Sequence, residues 1–174
     1  MSELRRVTLV LGGASSGKSE YAERLLETVK ERIYLATATP NDGEMAERIK
    51  KHQWRRGVGW LTIEEPLDIA GIISEKSGVC PILVDCLTLW AMNVVTGGAD
   101  ASKELIRLHE ALQKTAGPVI LVSNEIGLGV VPGDRLSRGF VELQGQINQS
   151  VALAAECVVF ISAGLPLIMK DKKI

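Results

Sequence analysis

Residues 7–19 read Val7-Thr8-Leu9-Val10-Leu11-Gly12-Gly13-Ala14-Ser15-Ser16-Gly17-Lys18-Ser19. The apolar run at the start of this stretch is typical of a buried strand. The residues after it match the pattern G-x-x-x-x-G-K-[ST]. A helical pattern follows at residues 18–30, so the motif lies between a strand and a helix, the context that it requires. This stretch predicts a phosphate-binding loop.

The rest of the chain repeats the alternation of strand and helix. Further apolar runs predict buried parallel strands at residues 33–37, 82–85, 119–123 and 158–161. Helical periodicity appears at residues 18–30, 44–56, 67–76, 102–116 and 135–155. The pattern predicts an α/β protein with the P-loop NTPase fold of RecA-like type, in which helices flank a mostly parallel sheet. We expect residues 1–174 to form a single nucleotide-binding domain.

Composition narrows the choice of partners. The chain has 20 basic and 21 acidic residues and a net charge of −1, which argues against a nucleic-acid partner and favours a small substrate. The three cysteines have no metal-ligand spacing, and the apolar runs are too short to span a membrane. We expect a cytoplasmic protein with no membrane span.

The phosphate loop suggests roles for its residues. Backbone N–H groups of Gly12 to Ser19 would surround phosphate oxygens, and Lys18 would reach the outer phosphates. The Ser19 hydroxyl would ligate Mg²⁺, with Asp85 as the second metal ligand at the end of an apolar strand. The alternatives are a glycine-rich turn that only caps a helix, and an Asp85 that only caps the next turn.

His52 has several basic residues near it in the sequence, namely Lys50, Lys51, Arg55 and Arg56. Neighbouring positive charges disfavour a further charge on the imidazole, which would leave a neutral nitrogen for attack on a phosphate. The alternative is a solvated basic helix face, and the residues alone leave both interpretations open. His109 has no partner motif and is expected to have a packing role.

Four stretches carry a family resemblance: GGASSGKS at 12–19, YLATATPNDGEMAERIKKHQWRR at 34–56, ILVDCLTLW at 82–90 and VSNEIGLGVVPGDRLSR at 122–138. Together they resemble the bifunctional adenosylcobinamide kinase / adenosylcobinamide-phosphate guanylyltransferase family of cobalamin biosynthesis. The resemblance implies phosphorylation of the aminopropanol hydroxyl of adenosylcobinamide by ATP or GTP. It also implies transfer of GMP from GTP, which would give adenosylcobinamide-GDP and pyrophosphate. Ser15 and Lys51 stand where some relatives have Arg and His.

The resemblance also implies site residues and an assembly. His52 falls on the position of a guanylylated histidine, so His52 and Lys18 are the expected catalytic residues. Family members form homotrimers, which implies a homotrimer here. The residues implied at the guanine nucleotide, besides the phosphate loop, are Thr37, Ala38, Thr39, Gln53, Trp54, Arg55, Arg56, Glu64 and Asp85.

Several alternatives stay open at this point. Glu64 could accept both N–H donors of a guanine edge, or it could be an exposed acid at a strand end. Asn124 and Glu125 follow another strand, near the γ-phosphate or the corrinoid arm, with no individual role assigned. The rival functions are a regulatory P-loop ATPase and a simple small-molecule kinase without a covalent nucleotide.

Overall fold

A computed structural model describes residues 4–39, 47, 54 and 56–172 of the chain. Its described strands form one seven-stranded sheet in the order β3-β2-β4-β5-β1-β6-β7. Among the pairings of these described strands, only that of β6 with β7 is antiparallel. The strands are β1 (Val7–Gly12), β2 (Arg32–Ala36), β3 (Trp60–Glu64), β4 (Ile82–Asp85), β5 (Val119–Asn124), β6 (Cys157–Ser162) and β7 (Leu165–Asp171).

Helices cover both faces of this sheet. The described helices are α1 (Lys18–Leu25), α2 (Ile69–Lys76), α3 (Leu87–Thr96), α4 (Ala101–Lys114) and α5 (Arg135–Ala154). Side chains of α1, such as Ala22, pack with Val10 and Leu83 on one face. The other four helices pack on the opposite face, where Trp90 of α3 is buried. The predicted α/β fold with a mostly parallel sheet is therefore confirmed.

Two of the described strands and one of the described helices were not predicted. Trp60–Glu64 is an edge strand and has no continuous apolar run, because much of it is exposed. Leu165–Asp171 contains a proline, which weakens a strand pattern, and it pairs antiparallel at the other edge. Leu87–Thr96 is apolar on most sides, so it lacks the polar stripe that marks a surface helix.

The boundaries of predicted helices also changed. The helix predicted at residues 18–30 ends at Leu25, because residues 26, 27 and 29 donate backbone hydrogen bonds to the third residue before them and tighten the chain into a turn ahead of β2. Asp100 is the N-cap of α4, and its carboxylate accepts hydrogen bonds from the N–H groups of Ser102 and Lys103. Most of the helix predicted at residues 44–56 lies outside the described residues.

The sheet brings three strand ends to one edge. The carboxyl ends of β1, β5 and β4 carry Gly12, Asn124 and Asp85, and β5 lies between the other two strands. Neighbouring strands are about 4.8 Å apart, so the ends of β1 and β4 are roughly 10 Å apart across the sheet. Ligands of open α/β sheets bind at this edge. No helix in the described part of the chain is long and apolar enough to cross a membrane.

Candidate active site

The loop between β1 and α1 has the shape that its glycines permit. Gly17 has a φ of 94°, which L side chains rarely adopt. A Cβ on Gly12 would lie 2.5 Å from the carbonyl oxygen of Ile161 and 2.5 Å from Ser16 Oγ. Both positions therefore require glycine, one for its backbone conformation and the other for space.

Lys18 closes over this loop. The side chain is buried, and Nζ donates a hydrogen bond of 2.9 Å to the carbonyl oxygen of Gly13. This hydrogen bond holds the positive charge of Lys18 against the loop, where it would favour a bound anion. The role of Lys18 at the phosphates stays a prediction.

The start of α1 offers further donors to an anion. The described helices α2, α4 and α5 begin with the aspartates Asp68, Asp100 and Asp134, whose carboxylates accept first-turn N–H groups. Helix α1 begins after Gly17 and has no side-chain cap. Its first N–H groups have no partner within the helix and carry the positive end of the helix dipole. A bound phosphate would satisfy them.

Asp85 lies at the end of β4 with its carboxylate held by a tyrosine. Tyr34 donates its hydroxyl to Asp85 Oδ2 at 2.8 Å. Burial raises the pKa of Tyr34 far above its ordinary value, and the negative charge of Asp85 raises it further. Tyr34 is therefore a neutral hydroxyl donor near neutral pH. One oxygen of Asp85 is oriented by this bond, and the carboxylate remains partly exposed.

The residues present fit Mg²⁺. The uncapped start of α1 and the buried Lys18 fit a phosphate chain, and Mg²⁺ is bound by one or two protein oxygens together with phosphates and water. Ser19, in the first turn of α1, and Asp85 supply such oxygens. Among the described residues no group of three or more His, Cys, Asp or Glu side chains could hold a metal by themselves.

Thr37 joins β2 to the segment after Asp85. Its side chain is fully buried, and Oγ1 both donates to the carbonyl oxygen of Cys86 and accepts from the N–H of Cys86, each at 2.8 Å. The Thr37 N–H also donates to the carbonyl oxygen of Asp85. Thr37 therefore positions the backbone around Asp85. Ala38 and Thr39 follow it, partly exposed, at the same edge.

The structure reaches only part of the segment that carries the expected nucleophile. His52, Gln53 and Arg55 lie outside the described residues. Trp54 is 89% exposed. The guanidinium of Arg56 lies over the ring of Tyr34, with its central carbon 3.4 Å from the ring centroid. Arg56 is thus brought next to the tyrosine that holds Asp85.

Glu64 lies in the same cross-strand row as Asp85. Ala36 of β2 pairs with Glu64 on one side and with Asp85 on the other. Side chains of directly paired residues lie on one face of a sheet, so Glu64 is exposed roughly 10 Å from Asp85 on that face. The predicted residues of the phosphate loop, Asp85 and Glu64 therefore share one edge of the sheet.

The end of β5 is fixed by buried polar side chains that the sequence did not single out. Asn124 accepts a hydrogen bond from Asn148 Nδ2 at 3.1 Å, and its N–H donates to Thr88 Oγ1 at 3.0 Å. Asn148 in turn accepts from Ser123 and Gln144. The sequence did contain a signal for them: Gln144 and Asn148 lie four residues apart, among the apolar positions of the predicted helix at residues 135–155. The N–H of Glu125 donates to Gly12, which ties this strand end to the phosphate loop.

A cavity of about 220 Å³ opens beside this strand end. It lies between α5 and the connection that follows β5. Its lining is mostly apolar, and Arg138 at its wall donates to the carbonyl oxygens of Pro132 and Gly133. The lining residues include Ile126, Val130, Val131, Pro132, Arg138 and Val141.

A glycine loop closed by a buried lysine, with Asp85 across the same sheet edge, defines a P-loop nucleotide-binding protein. The model of the family "Cobinamide kinase / cobinamide phosphate guanyltransferase" matches residues 8–169. The chain belongs to this family and is an enzyme of the kinase and nucleotidyltransferase classes.

Two curated proteins are similar over nearly the whole chain. The "Bifunctional adenosylcobalamin biosynthesis protein CobP" of Pseudomonas aeruginosa is 46% identical over 171 residues, which cover 94% of this chain and 97% of that protein. The "Bifunctional adenosylcobalamin biosynthesis protein CobU" of Salmonella typhimurium is 35% identical over 179 residues, with 93% and 98% covered. Both relatives have nearly the same extent as this chain.

The fold is also shared with a more distant protein. A solved structure of a type III secretion system ATPase matches with a TM-score of 0.56 at 10% identity. The match covers 97% of this chain and 57% of the ATPase. At this identity the likeness shows the fold alone, which is that of a P-loop NTPase.

Proposed function

We propose that this chain phosphorylates the aminopropanol hydroxyl of adenosylcobinamide, with ATP or GTP as donor, and then transfers GMP from GTP to the new phosphate. The products would be adenosylcobinamide-GDP and pyrophosphate. The observation that carries the proposal is the phosphate loop with Lys18 folded over it, in a chain whose family match spans residues 8–169. The two relatives named above are both described as bifunctional.

In the kinase step the substrate hydroxyl attacks the γ-phosphorus of the donor. The new P–O bond forms as the bond to the β-phosphate oxygen breaks, the nucleoside diphosphate leaves, and the hydroxyl proton passes to solvent. Lys18 and the uncapped N–H groups of α1 hold the phosphates and neutralise charge on the leaving group. Mg²⁺, held by Ser19 and Asp85, would supply further charge neutralisation when bound.

In the nucleotidyl step a ring nitrogen of His52 attacks the α-phosphorus of GTP. A P–N bond forms, the bond to the β-phosphate oxygen breaks, and pyrophosphate leaves. The phosphate of adenosylcobinamide phosphate then attacks the same phosphorus, and the P–N bond returns its electron pair to His52. The neighbouring cations Arg55 and Arg56 would hold phosphates during both displacements.

We assign the guanine nucleotide to the edge of the sheet that carries Asp85. Glu64 would accept the two N–H donors of the guanine edge, and its exposure in the row of Asp85 supports this role. Ala38, Thr39, Gln53 and Trp54 would complete the site, with Thr37 beneath them. Asn124 and Glu125 would face the acceptor, since they lie between the phosphate loop and the apolar cavity beside α5.

We also propose that the chain works as a homotrimer in the cytoplasm, without nucleic acid. Strand β7 supports an assembly, because Leu165, Leu167, Ile168 and Met169 are each more than 60% exposed on an edge strand. The cysteines of the described part are free, which fits a reducing compartment. Light scattering during size-exclusion chromatography measures the assembly, and a monomeric mass would contradict it.

Chromatography and mass spectrometry of the corrinoid products test the proposed function. Wild-type protein with adenosylcobinamide, Mg²⁺ and GTP should form the phosphate and then the GDP adduct. Lys18→Met keeps side-chain length and removes the charge, so it should slow phosphorylation at least about 100-fold. His52→Ala should form the phosphate and stop there.

Each failure of this experiment has its own meaning. If wild-type protein stops at the phosphate, the simple-kinase interpretation replaces the proposal. If GTP is hydrolysed and no corrinoid product forms, the regulatory ATPase interpretation replaces it. If His52→Ala still forms the GDP adduct, the covalent route is wrong.

A further inference from the structure

Tyr34 has a position that packing alone does not explain. It lies on β2 with its side chain buried against α1, two residues before Ala36, which pairs with Asp85 of β4. A buried tyrosine hydroxyl needs a hydrogen-bond partner. Here the partner is the Asp85 carboxylate, at 2.8 Å. Phenylalanine would fill the same space without contacting the expected metal ligand.

The ring of Tyr34 also contacts a guanidinium group and a second aromatic ring. The Arg56 guanidinium lies over the ring face with its central carbon 3.4 Å from the centroid. Trp60 of β3 meets the same ring edge to face, at 5.9 Å between centroids and 83° between planes. Trp60 is itself covered by Arg32, 4.7 Å from its centroid. Trp60 therefore holds the Tyr34 ring in place, and the ring face binds the guanidinium of Arg56.

These contacts join two parts of the site that come from different stretches of the chain. Asp85 ends β4, at the same edge of the sheet as the phosphate loop, with β5 between them. Arg56 ends the segment in which His52 lies four residues earlier. One tyrosine touches both through different groups, the hydroxyl for Asp85 and the ring for Arg56.

We propose that Tyr34 is a positioning residue for both reactions: its hydroxyl orients the Asp85 carboxylate toward the metal–nucleotide complex, and its ring holds the Arg56 guanidinium in position. The inference rests on the proposed function in placing Mg²⁺ at Asp85 and a nucleotide phosphate at Arg56. Tyr34 contacts neither substrate. It acts through Asp85 and through Arg56.

Binding of GDP, measured by titration calorimetry with Mg²⁺ and again with EDTA, tests the role of the hydroxyl. Tyr34→Phe keeps the ring and removes the bond to Asp85. In EDTA it should bind GDP like wild type. With Mg²⁺ its affinity should fall about tenfold, the scale of a lost hydrogen bond to a charged group. This readout requires no turnover and no corrinoid.

Tyr21→Phe is the matched control. Tyr21 is the chain's other tyrosine, and its hydroxyl makes no hydrogen bond within the described part of the chain. The variant should bind GDP like wild type under both conditions. Wild-type affinity of Tyr34→Phe in Mg²⁺ would overturn the role of the hydroxyl. An equal loss in Mg²⁺ and in EDTA would also overturn it, because the defect would not involve the metal.

Tyr34→Leu tests the role of the ring, since it removes the seat of Arg56 as well as the hydroxyl. Relative to Tyr34→Phe, it should slow formation of the protein–GMP adduct about tenfold further and leave corrinoid phosphorylation at the rate of Tyr34→Phe. If Tyr34→Leu and Tyr34→Phe slow adduct formation equally and slow corrinoid phosphorylation equally, the proposed role of the ring is wrong. Circular dichroism and GDP binding in EDTA check the fold.

Arg56→Lys examines the same contact if Tyr34→Leu does not fold. Lysine keeps the charge and loses the planar group that stacks on the ring. Because this variant keeps the Tyr34 hydroxyl, it should slow adduct formation about tenfold relative to wild type, which is the part of the Tyr34→Leu effect that the ring contributes, and an unchanged adduct rate would overturn the role of the ring. If wild-type protein forms no adduct at all, the proposed function fails, while the GDP measurements still decide the role of the hydroxyl.

Discussion

Gly12→Ala should distort the phosphate loop from within. The added Cβ would lie 2.5 Å from the backbone carbonyl oxygen of Ile161 and from Ser16 Oγ, whereas ordinary contact begins at 3.4 Å. The serine can rotate, but the carbonyl belongs to β6, which is paired with β1 along this stretch. Overpacking of this kind costs about 1–3 kcal/mol. The apparent melting temperature should fall by roughly 2–12 °C, because each kcal/mol is worth about 2–4 °C in a chain of this size.

Differential scanning calorimetry without nucleotide measures this effect, and Gly13→Ala is the matched control. A Cβ on Gly13 would have no atom within 4 Å, so its melting temperature should stay close to that of wild type. In calorimetric titrations, Gly12→Ala should also bind GDP at least tenfold more weakly, since the loop must move. Equal melting temperatures for Gly12→Ala and wild type would refute the steric argument. A fall in the melting temperature of Gly13→Ala as large as that of Gly12→Ala would also refute it.

Other predictions concern the supports of the site and of the helices. Thr37→Val leaves the N–H of Cys86 without its acceptor, while the Cys86 carbonyl still accepts from the N–H of Trp90, and should lower the free energy of unfolding in urea by roughly 1–3 kcal/mol; no change would contradict it. Asp100→Ala removes the cap of α4 and should cost about 1 kcal/mol in the same assay, whereas Asp100→Asn should cost little. Hydrogen bonds from the Ser137 backbone lower the pKa of Asp134, so its stabilisation is present above the ordinary pKa of about 3.8 and is lost as pH falls through the lowered value. In Asp134→Ala the free energy of unfolding should fall less steeply as pH is lowered. The same pH dependence of unfolding in this variant and in wild type would contradict this.

The sequence predicted the fold class and the phosphate loop because both depend on local patterns. The run at residues 7–11 is buried in the sheet interior, and the glycines at 12 and 17 are required by space and by φ. Strands β3 and β7 were missed because edge strands can be exposed and need no apolar run. Their pairing depends on neighbours that come from distant parts of the chain.

The site was predictable to a smaller extent. Asp85 follows an apolar strand and could be proposed from position alone, but its bond to Tyr34 depends on the pairing of β2 with β4. The contact of Arg56 with Tyr34 likewise arises only in three dimensions. The roles of His52 and Glu64, and the single domain spanning the chain, stay predictions.

The covalent intermediate is the central claim of this account. Protein incubated with Mg²⁺ and GTP labelled on the α-phosphate, then denatured, should retain label that is stable to base and released by acid, as expected for a phosphoramidate. His109→Ala is the matched control, because His109 is the chain's only other histidine. It lies on α4, where its ring nitrogens are hydrogen-bonded to the side chains of Ser150 and Gln113. The account predicts full labelling of wild type and His109→Ala and none of His52→Ala. Label that persists in His52→Ala, or no label on wild-type protein that binds GTP, would contradict it.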